Sequence, residues 1–99
     1  MKALALVFVF ASSAALAQDR GEAIFKEVAV PQCGVCHTLA AAGTQGQIGP
    51  VLDELKPAAD RVAAAVSQGV GVMPSYGDAL SAADIAAVAT YVAKATGAE

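Results

Sequence analysis

Tryptophan is absent from this sequence, and other aromatics are scarce: three phenylalanines and two tyrosines in 99 residues. Phe8 and Phe10 fall in the first ten residues, so the remainder keeps only Phe25, Tyr76 and Tyr91. Much of the 57% hydrophobic content is alanine, which adds little bulk. A domain this small barely stabilises itself with its own core, and smaller scaffolds need a disulfide, a metal or a similar staple. The shortage argues against a self-sufficient interior and calls for something bulky and apolar from outside the chain. Basic runs are lacking too. Six Lys and Arg against nine Asp and Glu give a formal charge of −3, which argues against nucleic acid as a partner. No convincing alternating strand is present, so a β-sheet domain is not expected.

The chain starts with a pattern that does not belong to a folded domain. Lys2 is followed by an apolar run from Ala3 to Phe10, and then small residues lead to Ala15-Leu16-Ala17. This reads as an export signal with an A-x-A cut site. The run is shorter than the roughly 20 residues a membrane span needs. Residues 1–17 are therefore expected to be cleaved, leaving residues 18–99 as one domain with no stable membrane insertion. Losing Lys2 takes the charge to −4.

Three helices are expected within that domain, an all-α class. Asp19 and Glu22 resemble a capping box opening a helix whose Ile24, Phe25 and Val28 share a face. Pro31 ends or redirects it. Residues 40–50, with Gly43, Gly46, Gly49 and Pro50, read as a loop. A second helix begins near Pro57, carries Val62, Ala65 and Val66 on one face, and stops at Gly69. Residues 69–77 form another loop. Ser81 and Asp84 make a capping box for the third helix, with Ile85, Val88, Tyr91 and Val92 in one stripe and Gly97 as its stop. Loops this long in so short a chain suit a task such as wrapping a ligand.

Both cysteines of the chain and its only histidine stand together in CGVCH, residues 33–37. A disulfide across two intervening residues would close a tiny loop and remove little chain entropy. A thioredoxin-like dithiol requires a β-α-β context that is missing. A structural zinc site requires four Cys or His ligands, and three are available. The reading that remains is c-type haem attachment. Cys33 and Cys36 form thioethers to the porphyrin, and His37 is carried beneath the iron as an axial ligand. A covalently held, flat, apolar group also replaces the missing aromatics. Export fits, since it takes the chain out of the cytoplasm.

A second axial ligand is available. Met73 is the only methionine beyond Met1; it sits in the glycine-flanked loop, before Pro74. A His/Met pair raises the iron's potential and fills both axial positions, which points to electron transfer rather than catalysis.

As a set, GEAIF, CGVCH, IGP, GVMPSYG and LSAADIAAVATYVA resemble a small bacterial class I monohaem cytochrome c, across essentially the whole expected mature chain. The resemblance implies the cytochrome c fold, with three to four helices wrapped around one covalent haem c. It implies that the backbone carbonyl of Pro50 accepts a bond from the axial histidine, and that Tyr76 packs on the haem. Gly21 and Phe25 against Tyr91 would form the crossing of the first and last helices. Residues around VAVPQ lengthen the stretch from Phe25 to Cys33 beyond the family's usual span, so a short bulge is expected there. Lys56 and Arg61 are read as solvated charges.

The functional expectation is a soluble, monomeric one-electron carrier in the periplasm. It would shuttle electrons from dehydrogenases to a terminal acceptor such as an oxidase, and is not an enzyme. Docking is expected at the haem edge near Gly34, Val35, Val72 and Pro74, with a weak contact that depends little on salt. The alternative is a haem subunit held by a periplasmic dehydrogenase, such as a sulfite dehydrogenase.

Overall fold

The computed structural model describes residues 13–99; most of the segment expected to be a signal lies outside the described residues. Among the described residues five α-helices are present: α1 (Ser13–Ala23), α2 (Cys33–Cys36), α3 (Leu52–Leu55), α4 (Ala59–Gln68) and α5 (Ala82–Ala95). Two two-residue strands, β1 (Thr38–Leu39) and β2 (Thr44–Gln45), pair antiparallel, with Thr38 opposite Gln45. Among the described residues no helix is long and apolar enough to cross a membrane.

The first helix departs from expectation at both ends. It is already helical at Ser13, so Asp19 lies inside it and does not cap it. The alanine-rich residues before Asp19 favour helix and carry the pattern upstream. At the other end the chain widens into a π-turn over Ile24–Val28, in which the Ala29 amide bonds the Ile24 carbonyl at 3.1 Å. This i to i+5 spacing rotates the buried face. Ile24, Phe25 and Ala29 are buried, whereas Val28, expected to be on the inner face, is 39% exposed. The bulge expected in the lengthened stretch takes the form of this turn and the extended residues after it.

α1 lies across α5. A Cβ on Gly21 would collide with the Ala87 carbonyl and reach within 2.5 Å of Tyr91 Cβ, so only glycine allows the two backbones to approach this closely. Phe25 and Tyr91 pack with ring centroids 5.9 Å apart and planes tilted by 55°, a favoured aromatic geometry. Arg20 donates two hydrogen bonds to the Asp84 carboxylate, each 3.0 Å.

α5 is the most regular element. The Ser81 hydroxyl accepts from the Asp84 amide at 3.1 Å, so the expected cap is present. The Asp84 carboxylate is engaged with Arg20 across the helix crossing. Ile85, Val88, Tyr91 and Val92 are all buried. Gly97, at φ +82°, closes the helix, and the Ala98 amide bonds back to the Ala93 carbonyl at 2.8 Å.

Between these helices, residues 38–45 form a small hairpin where a plain loop was expected. The Thr44 hydroxyl ties it together, donating to the His37 carbonyl at 2.9 Å and accepting from the Leu39 amide at 3.1 Å. α3 was also not expected. Asp53 and Glu54 stand in its first turn, where negative charge suits the helix dipole, and the Asp53 carboxylate accepts from the Ala40 amide at 2.9 Å. α4 starts at Ala59, two residues past Pro57, and Gly69 at φ +76° ends it.

Candidate haem-binding site

α2 is a single turn that presents CGVC, closed by the His37 amide bonding the Cys33 carbonyl at 3.0 Å. Cys33 and Cys36 are half-buried and unbridged. Burial, opposed by the thiol's own backbone hydrogen bond and helped by nearby Cys36, pushes the Cys33 thiol up to about 11. A redox dithiol needs the opposite, a thiol pulled down toward neutrality.

His37 leaves the turn in an extended conformation. Its Nδ1–H donates to the Pro50 carbonyl at 2.8 Å. A carbonyl only accepts, so this bond fixes the proton on Nδ1 and leaves the Nε2 lone pair available to a metal. The ring lies flat against Gly49, where a Cβ would stand 2.5 Å from Cε1 and 2.9 Å from Nδ1. The Gly49 amide in turn bonds the Cys36 carbonyl at 2.7 Å. The IGP segment thus cradles the imidazole from two sides.

Cys33, Cys36, His37, Pro50 and Met73 all line one cavity of about 500 Å³. α4 contributes Val62, Ala65 and Val66, and α5 contributes Val88 and Val92. Arg61 is the one charged side chain on the wall. It is exposed, as a solvated charge is expected to be, while bordering the cavity. Lys56, left-handed at φ +46°, is not on the wall.

Tyr76 is not among the residues lining the cavity. It is 5% exposed within the core cluster, and its hydroxyl donates to the Pro31 carbonyl at 2.6 Å. The lengthened segment before Cys33 supplies that acceptor. Burial first, then the nearby Cys33 and Cys36, raise its ionisation above the ordinary phenol range.

Comparison with known proteins agrees with this geometry. The family model described as "Cytochrome C oxidase, cbb3-type, subunit III" matches residues 16–92. Cytochrome c6 of Picosynechococcus sp. is 35% identical over 101 residues, covering 91% of this chain and 84% of its own length. The crystal structure of the c-type cytochrome SorU from Sinorhizobium meliloti superposes with a TM-score of 0.79 at 48% identity, covering 82% of this chain and 92% of that one. The chain belongs to that family and is a c-type cytochrome. More narrowly, it is a small monohaem protein of class I, an electron carrier with covalently bound haem c, and not an enzyme. The residues present fit that group: an apolar cavity, two thiols one helical turn apart, an imidazole with a free Nε2 and a thioether sulfur.

Proposed function

We propose that the protein is an exported, monomeric periplasmic carrier whose haem is tethered by Cys33 and Cys36 and ligated by His37 and Met73. The bound haem supplies a one-electron iron couple. The chain's own residues do the rest. Pro50 holds the imidazole in the tautomer whose Nε2 is unprotonated. The apolar walls from α4 and α5 exclude water, which favours the less charged, reduced state. With His37 and Met73 both held by the iron, the site would offer no open position to a substrate, which suits carriage over catalysis.

The observation that carries this reading is that His37 and Met73 line the same apolar cavity. The family description, an oxidase subunit, supports a terminal oxidase as electron acceptor. Val35 and Val72, 56% and 87% exposed, support a weak apolar docking edge with little dependence on salt. The test is the visible spectrum of oxidised and reduced holoprotein. The weak sulfur-to-iron band is expected in the wild type and is lost in Met73→Ala, with both thioethers intact; a band that survives the substitution overturns the ligation. Co-purification with a large catalytic subunit would favour the alternative, a haem subunit held by a dehydrogenase such as a sulfite dehydrogenase.

A further inference from the structure

Resting on the assignment of Met73 as an iron ligand, we propose that the Tyr76 hydroxyl latches the methionine loop shut, making Tyr76 a positioning residue for electron transfer.

The methionine loop is tied to α4 by local bonds. The Ser75 hydroxyl donates to the Ser67 carbonyl at 2.6 Å, and the Tyr76 amide to the Val66 carbonyl at 2.8 Å. Val70 and Met73 exchange a pair of backbone bonds at 3.1 and 2.9 Å. The first two join the loop to the helix it grows from, and the Val70–Met73 pair closes the loop on itself.

The bond from Tyr76 to Pro31 is of another kind. It spans 45 positions, and among the described residues it is the one hydrogen bond between the methionine loop and the segment leading into Cys33. Pro31 stands two residues before the first haem-bearing cysteine, and Tyr76 three residues after the methionine. The latch therefore joins the side of the cavity that would carry the porphyrin covalently to the side that would offer the sulfur.

Apolar packing anchors the Pro31 segment only through Ala29, which is buried in the core. Val28 is 39% exposed and Val30 is 82% exposed. The tyrosine is the buried partner, held by its own backbone bonds, with its carbonyl accepting from the Ala79 and Leu80 amides at 3.0 and 2.9 Å. A fixed ring carrying a short hydrogen bond to an otherwise loosely packed strap is suited to position the loop on its far side.

The experiment titrates ferric holoprotein with imidazole, which competes with Met73 for the iron and so reads how often the loop opens. Tyr76→Phe keeps the ring and removes the hydroxyl. Loss of one such bond is expected to tighten imidazole binding about fivefold to tenfold. The sulfur-to-iron band should also fade at lower temperature than in the wild type. In a Met73→Ala background, where there is no sulfur to hold, the same change should alter imidazole affinity by less than about twofold. Affinity in the single variant within about twofold of wild type overturns the latch, whether or not the global unfolding midpoint falls. If Met73→Ala alone binds imidazole no more tightly than the wild type, the ligation itself fails, a distinct result. Should Tyr76→Phe yield no holoprotein, the wild type answers by NMR. Saturating imidazole must abolish the Tyr76 ring to Pro31 contact, and a contact that persists with the iron site occupied by imidazole overturns the proposal.

Discussion

The crossing of α1 and α5 and the cavity between the loops are built on opposite principles. At the crossing the chain completes its own interior: Ile24, Phe25, Val88, Tyr91 and Val92 are each 3% exposed or less. The cavity shares Phe25, Val88 and Val92 with the crossing, but its other wall leaves apolar residues in the open, with Ile48 65%, Val70 63% and Val72 87% exposed. Apolar surface costs free energy wherever it meets water. One half of the molecule is a protein core in the ordinary sense, and the other half is a mould that becomes a core when haem fills it. The short supply of aromatics was spent mainly on the first.

The sharpest break of this comparison is to deny the mould its contents. Cys33→Ser with Cys36→Ser removes both points of attachment. The variant chain is expected to lose its cooperative thermal transition by circular dichroism, because binding energy here is folding energy. A sharp transition without haem would show that the crossing suffices alone. Next in size is Phe25→Ala at the crossing, expected to cost about 3–5 kcal/mol in denaturant unfolding of the holoprotein. A cost below about 1 kcal/mol would mean that haem dominates both halves.

A smaller change works in the stabilising direction. The Tyr91 hydroxyl is buried and, among the described residues, finds no hydrogen-bond partner. Tyr91→Phe is expected to raise stability by about 1 kcal/mol, since an orphaned polar group is an expense without return. A loss on the same assay would reveal a partner for the hydroxyl.

The smallest expected effect concerns pH. The hydrogen bonds from Arg20 hold the Asp84 carboxylate below its usual range. A carboxylate with a depressed folded value adds stability that is present above its unfolded pKa of about 4 and lost as pH falls through the folded value. Asp84→Asn should therefore lower the melting temperature slightly at neutral pH, and by less at acid pH as the wild-type carboxyl takes up its proton. An equal loss at both pH values would assign the effect to packing.

Regular elements were legible in the sequence because they are long enough to show a period. The stripe on α5 and the face of α4 are visible at helical spacing, and Gly69 and Gly97 mark their ends. The candidate site was legible for a different reason: two cysteines, one histidine and, beyond Met1, one methionine leave little to choose between. What escaped was short or set by distant contacts. Two-residue strands show no alternation, and four-residue α3 shows no period. The π-turn breaks the 3.6-residue repeat on which the Val28 reading depended. The place of Tyr76 depends on an acceptor 45 positions upstream, which nothing local to SYG reveals.

One feature of α1 orders events in time. The helix Ser13–Ala23 runs without interruption through the Ala17–Gln18 bond. Proteases act on chain they can draw out from folded structure, and a bond wound into a docked helix is withheld from them. If processing falls at this bond, the peptidase must act while the segment is still unwound, before Gly21 settles against Ala87. Processing would then be the earlier clock, and closure of the helix pair the later one.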